Sequence, residues 1–349
     1  MMTAKSLSPV IRHPTRRRYG VPVFLLALSL LATQALAQPL RIATFNVKWL
    51  TATATETRME PWEDEEHLAE HRRNLAGAIA QVRADILCIQ EVTSRAALDK
   101  LAAEPALKSF RYRVLHIESE DTGTGQDVAF LVAPRVRLDT IAGSVIRRFA
   151  DTLPDRPAGM KRNDPRRQRL TKHALVCTSK PVKTCLLGVH LLAHPDDRYR
   201  TAKRAAQATI AAHIVRTEII AKGYAPIVLG DFNDFDPEVG GPSSYAVKTR
   251  HVLRIIKDYD TTRPGPELIN IADRIHPPSK RFSAFWDRNK NGKRDARDPH
   301  SLLDHILVDK SLEKRISKAE IRHDLHDGTL SDHWPVAVDL KIIAPKAPR

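Results

Sequence analysis

No apolar stretch in the sequence is long enough to cross a bilayer. The most apolar run, VPVFLLALSLLATQ at 21–34, falls short of the roughly 20 residues a spanning helix needs. Cysteine is scarce, and Cys88, Cys177 and Cys185 form neither a CxxC pair nor a Cys/His spacing, which excludes a zinc framework. Internal repeats and low-complexity blocks are missing too, so a solenoid or a tandem array is ruled out. One local absence is informative. Residues 1–20 hold Lys5, Arg12, Arg16, Arg17 and Arg18 but no acid.

That basic segment, the short apolar run after it and the small residues Ala35-Leu36-Ala37 make up the three parts of a signal peptide. Cleavage is expected before Gln38, which gives a signal peptide at 1–37, a single domain at 38–349 and no membrane anchor after cleavage. The chain is therefore expected to be exported, to a periplasm or to the outside. Thr15-Arg16-Arg17 hints at twin-arginine export.

What remains is globular in composition, with 42% hydrophobic and 28% charged residues. Its charge is one-sided. The whole chain is +15, and losing the five cations of 1–37 leaves 51 basic against 41 acidic residues, or +10. A polyanionic partner is favoured; the alternative is a basic surface that only aids solubility. In an oxidising compartment a disulfide is allowed. Cys177 and Cys185 flank TSKPVKT between two apolar runs, so a hairpin pairs them, while Cys88 within DILCIQ reads as a buried free thiol.

Periodicity predicts strands at Leu40–Val47, 85–92, 111–117, 127–133, 173–178, 183–192, 226–230, 302–308 and 335–342. Helices are expected at 64–82, 95–103, 196–222 with Gly223 as the stop, and 242–257. Residues 149–170 form a basic loop containing Lys161, Arg162, Arg166, Arg167 and Arg169. The alternation suggests one α/β sandwich.

Several strands end at polar residues: Asn46 after the first, Glu91 in IQEV, His190 in VHL, Asp231, Asn233 and Asp234 in GDFND, Asp304-His305 before ILVD, and Ser331-Asp332-His333 before WPV. Singly, each is a turn, a cap or a core histidine. In their order, TFNV, IQEV, VHL, GDFND, LDHILV and SDHWPV resemble the successive motifs of the endonuclease/exonuclease/phosphatase superfamily over residues 40–342. The resemblance implies the deoxyribonuclease-I-like fold, a four-layer sandwich of two mostly antiparallel sheets flanked by helices. It also implies an active site on one rim.

Phosphodiester hydrolysis needs an activated water, neutralised phosphoryl oxygens and a stabilised leaving oxygen. Through the resemblance, Glu91 is the metal ligand, with Asn46 and Asp332 beside it, and Mg²⁺ (or Mn²⁺) is the expected ion. His333 and Asp304 correspond to a His–Asp pair, Asp231 to the group that orients water, and Asn233 to a donor for a phosphoryl oxygen. His190 corresponds to the second histidine, a candidate acid; Gln126 and Asp127 lie near the position of its acidic partner. Asp234 and Asp236 are expected to be turn residues and His305 to be structural.

WDRNKNGKRDARD (286–298) sets Asp287, Asn289, Asn291, Lys293, Asp295 and Asp298 at positions 1, 3, 5, 7, 9 and 12, with Gly292 at 6. It resembles an EF-hand or dockerin-type Ca²⁺ loop. Its last ligand is Asp instead of Glu, and the alternative is a polar hairpin tip. Phe285 and Trp286 are expected in the core, with stacking against a nucleotide as the alternative. The leading expectation is a nuclease acting on DNA, with RNA as a second candidate substrate and no protein partner implied. A phosphatase or lipid phosphodiesterase of the sphingomyelinase kind, or a non-catalytic polyanion binder, is the alternative.

Overall fold

In a computed structural model, the described residues are 38–342 apart from 58, 60–61, 141–143, 149–168, 243–251 and 264. The expected signal peptide, most of the basic loop and the first part of the expected 242–257 helix lie outside them. In chain order the strands are β1 (Leu40–Leu50), β2 (Ile86–Val92), β3 (Arg113–His116), β4 (Asp127–Val132), β5 (Arg137–Asp139), β6 (His173–Lys180) and β7 (Thr184–His190). Then follow β8 (Ala225–Asp231), β9 (Leu268–Asn270), β10 (Ala284–Phe285), β11 (His300–Ser301), β12 (Asp304–Asp309), β13 (Ile316–Ile321) and β14 (Val336–Leu340). The α-helices are α1 (Glu65–Val82), α2 (Arg95–Ala102), α3 (Pro105–Lys108), α4 (Arg198–Ile214) and α5 (Val252–Lys257).

Two six-stranded sheets form, ordered β13-β14-β1-β2-β4-β3 and β5-β6-β7-β8-β12-β9. Each has a single parallel step, β1 with β2 and β7 with β8, and the other described pairings are antiparallel. Side chains alternate across a strand, and both faces of these strands are apolar. Leu40, Ile42, Ile86, Cys88, Phe130, Leu186, Leu229 and Ile306 fill the space between the sheets. Their neighbours divide between two outer clusters. Phe45, Leu87, Ile89 and Leu131 pack with Leu75 and Ile79 of α1; Leu187, Val189, Val228 and Leu307 pack with Ile210 and Ile214 of α4. This is the expected four-layer sandwich.

Gly188 lets the sheets approach closely. A Cβ there would meet Cys88 Sγ at 2.7 Å and Phe130 at 2.9 Å. Cys88 is the buried free thiol, and Cys177 and Cys185 face each other across the β6–β7 ladder as a disulfide. Helix starts follow local chemistry. Asp64 caps α1 by accepting from His67 N at 2.8 Å, and Ser94 caps α2 by accepting from Ala97 N at 3.2 Å. The expected 196–222 helix is not continuous: α4 ends at Ile214, a π turn spans Val215–Ile219 and a 3-10 turn spans Ile220–Lys222, closed by Gly223 at φ 73°. Strands β5, β9, β10, β11 and β13 lie outside the expected strands; they are short or half-exposed and lack a clear apolar run.

His173, 1% exposed, engages the Leu170 carbonyl through Nδ1 at 2.7 Å. Burial lowers its pKa from 6.5 to about 4, against that carbonyl and with help from Arg148. The unfolded chain takes up this proton below pH 6.5 and the folded chain only near pH 4, so stability is present above 6.5 and is lost between those values. The loss at this residue is on the order of 3 kcal/mol. Urea titrations from pH 7.5 to 4.5 should show a falling midpoint, with a shallower acid limb in His173→Gln; an equal slope in both proteins would refute the assignment.

Candidate active site

Register brings three of the expected residues together. His190 at the end of β7 pairs with Asp231 at the end of β8, and Asp231 pairs with Asp304 at the start of β12, so the three lie in one row. Gly230 permits this edge: at φ 138°, its Cβ would fall 2.0 Å from the Val189 carbonyl oxygen. From the other sheet, Asn46 of β1 lies opposite Gln90 of β2. Gln90 and Val92 then pair with the consecutive residues Val128 and Asp127, which leaves Glu91 as an extra residue in a bulge. Its φ is 66°, and Lys48, Trp49 and Asn233 on the same rim are also positive. Bulges re-aim side chains, and left-handed non-glycine backbone gathers at functional sites.

Asp231 is the hub. Its Oδ2 accepts from Asn46 Nδ2 and Asn233 Nδ2, both at 3.1 Å, and its Oδ1 accepts from Asn233 N at 2.8 Å. His190 Nε2 and His333 Nε2 approach Oδ2 to 3.6 and 3.9 Å. His333 Nδ1 lies 2.7 Å from Asp304 Oδ2, which also accepts from Ser283 Oγ at 2.7 Å. Glu91 accepts from Asn46 Nδ2 at 2.9 Å and from Trp49 N at 3.3 Å, and its Oε1 is 3.9 Å from His190 Nε2. Asn46 Oδ1 accepts from Lys48 N at 3.1 Å, and Asn233 Nδ2 also donates to the Leu191 carbonyl at 3.1 Å. Two buried atoms at the centre, His190 Nδ1 and Asp304 Oδ1, have no partner among the described residues.

Burial sets the charge states. It raises Asp231, opposed by His333 and reinforced by Asp304, to about 7. It also raises Glu91, together with the nearby Asp332 charge and against the Asn46 amide. His190 is pushed well below the usual histidine value by burial, then by Lys172 and His333. Burial opposes charge on His333 as well, but Asp304, Asp231 and Asp332 outweigh it and hold that imidazole well above the usual value.

Residues 43–333 match the Endonuclease/Exonuclease/phosphatase family. The chain belongs to that family. Its members are metal-dependent phosphoesterases and nucleases. No curated protein matches the sequence. Among solved structures, TDP2 from C. elegans is similar at 20% identity, covering 92% of this chain and 82% of that one, with a TM-score of 0.51. The 3′ phosphatase NExo from Neisseria, bound to a product DNA hairpin, is 18% identical over 86% of this chain and 99% of that one, with a TM-score of 0.53. D. rerio TDP2 complexed with a single-strand DNA product gives 15%, 86%, 98% and 0.53. Likeness at these identities is likeness of fold.

The family's divalent ion fits the residues present. Glu91 and Asp332 are close enough to raise the Glu91 pKa, a cost that a cation would relieve, and both offer hard oxygen donors. Among the described His, Cys, Asp and Glu residues, only Asp231, Asp304 and His333 bring ligand atoms within 4.8 Å of one another. Two members of that trio are already bonded to each other. The calcium-like loop does not converge in this way. Asp287 accepts from Asn291 N and Gly292 N, Asp295 from the amides of Asn289 and Asn291, and Asp298 from Arg288 N and Asp295 N. Lys293 contributes its N–H to Asn291 Oδ1 at 3.1 Å.

Several placements differ from expectation. Asp234 and Asp236 are buried ion-pair members as well as turn residues. Asp234 Oδ2 bonds Arg204 Nε at 2.9 Å, and both Asp236 oxygens bond Lys257 Nζ at 3.0 Å. Asp127 serves His116, at 2.6 Å, in place of His190. Trp286 is 54% exposed, whereas Phe285 is buried. His305, by contrast, is bonded to Asn270 and to the Asp234 carbonyl, the structural place expected of it. Ser283, Lys172 and Arg204 escaped the sequence reading because nothing local marks them; only the fold brings them to the site.

Arg204 of α4 is fully buried. Besides Asp234, it donates to the carbonyls of Leu192, His194 and Pro195, in the segment just after His190. One guanidinium thus holds the turns that follow both β7 and β8. Arg204→Gln should destabilise by about 3–5 kcal/mol, because Asp234 is left buried without its cation. Denaturant unfolding at pH 7.5 checks this, and a loss below 1 kcal/mol would contradict it.

Proposed function

We propose that the chain is an exported, metal-dependent phosphodiesterase that hydrolyses nucleic acid, DNA foremost, with little sequence preference. The observation that carries the chemistry is the charge pattern around Asp231: a buried carboxylate with its pKa raised to about 7, between a neutral His190 and a charged His333. A carboxylate so poised takes a proton from water near neutral pH. His333, held by Asp304, is the proton donor and the cation for a phosphoryl oxygen. His190, kept neutral, gives a hydrogen bond instead, so the acid's role passes from it to His333. Asn233 positions Asp231. A Mg²⁺ or Mn²⁺ ion held by Glu91, with Asn46 and Asp332 beside it, would neutralise phosphoryl charge and stabilise the leaving oxygen.

Support for a nucleic acid comes from the net charge, from the exposed ring of Trp286, and from relatives whose structures hold DNA products. Phe285 N donates to the Asp332 carbonyl, which fixes Trp286 beside the rim. The export signal rests on residues 1–37 alone. The 287–298 loop is proposed as a structural Ca²⁺ site on its Asx pattern and on Gly292 at φ 79° at the sixth position.

Protein beginning at Gln38 should nick plasmid DNA with Mg²⁺ and not with EDTA, and His333→Ala should lose roughly 10²–10⁴-fold in rate. Folded protein that leaves plasmid, single-stranded DNA and RNA intact would sink the reading, and phosphate monoesters and phospholipids would then be tried. Ca²⁺ should raise the melting temperature of the wild type but not of Asp287→Ala; an equal response in both would remove the loop as the site.

A further inference from the structure

A cleft of about 870 Å³ opens between α1 and the segment 325–330, a size within the range of small-ligand sites. It adjoins the catalytic rim on two sides. Trp49, in its wall, donates its backbone N–H to Glu91 Oε2, and the 325–330 segment runs directly into Ser331, Asp332 and His333. Its charges are balanced, with Lys48 and Arg73 against Glu70 and Asp327, so it is not a channel for a run of phosphates. Rings and amides stand among these charges. Trp62 lies 4.4 Å from His71, centroid to centroid, and its indole N–H is tied to the Trp49 carbonyl at 3.1 Å, which fixes the ring in the wall. Asn74 adds an amide that can both donate and accept. Below Trp62, burial lowers the His71 pKa to about 4, and its Nε2 has no partner among the described residues.

We propose that this cleft is a base-binding subsite, which takes the unstacked nucleobase of the nucleotide adjoining the scissile phosphate. The inference rests on the nuclease reading and adds to it a place for one base. A planar heterocycle with donors and acceptors on its edge matches a fixed indole and an amide. A phosphate would gain little there. Because the base must leave its stack to enter, single strands and frayed ends are cut faster than paired duplex.

The test compares a short single-stranded oligonucleotide, the same strand with an abasic nucleotide beside the cut position, and bis(p-nitrophenyl) phosphate, which has no base. Wild-type kcat/KM should fall about 5- to 100-fold at the abasic strand, the size of a lost base–aromatic stack. Trp62→Ala should lose a similar factor on the intact strand, beyond any change on the small ester, and should not distinguish the abasic strand from the intact one. Trp62→Phe should retain most of the discrimination, which guards against a folding defect in the alanine variant. Wild-type indifference to the missing base would overturn the assignment, as would Trp62→Ala losses equal on all three substrates. Hydrolysis of the small ester with no cutting of any strand would fell the nuclease reading, and the subsite with it.

Discussion

The contact between His333 and Asp304 joins the two sheets, because Asp304 opens β12 of one and His333 precedes β14 of the other. Asn46, from the same sheet as His333, reaches across in the same way to Asp231. These bonds exist only if the sheets meet at one spacing. That spacing is set by the inner layer, where Cys88 and Phe130 press against the place a Gly188 side chain would occupy. The geometry of the candidate site is therefore a consequence of core packing, and the rim is held by the same layer that stabilises the fold.

Around that bridge the protein confines charge without leaving it unopposed. Asp304 accepts from Ser283 as well as facing His333, Asp234 is closed by Arg204, and Asp236 by Lys257. Trp334, almost fully buried beside His333, stacks with His326 at 5.5 Å and meets Phe282 and His323 edge-on. His333 itself is held by Asp304 at Nδ1, and its Nε2 faces Asp231. Among the described residues, Asp231 and Glu91 are the carboxylates whose pKa is raised, and both lie in the candidate site.

Much of the fold was legible because its inner strands are apolar on both faces and end in turn residues. LRIATFNV, DILCIQEV and PIVLGD could be read as buried strands from composition alone. Half-exposed β13 and three-residue β5 and β9 could not, since their pairing depends on neighbours far away in the chain. The end of α4 at Ile214 was likewise unreadable: nothing between Ile214 and Lys222 is a helix breaker, and the π turn carries Val215 and Ile219 into the same buried cluster as α4.

For the site, the chain alone carries which residue types stand at the strand ends and in what order, because strand ends are local features and the motif order survives in the chain. It also determined the Cys177–Cys185 pair, through the shortness of its hairpin. Tertiary structure decided the rest. It made Asp234 a buried partner of Arg204, turned Asp127 to His116, exposed Trp286, brought Ser283 to Asp304 and left His190 neutral. Each of these depends on burial and on charges that lie distant in sequence, and both are properties of the folded sheets.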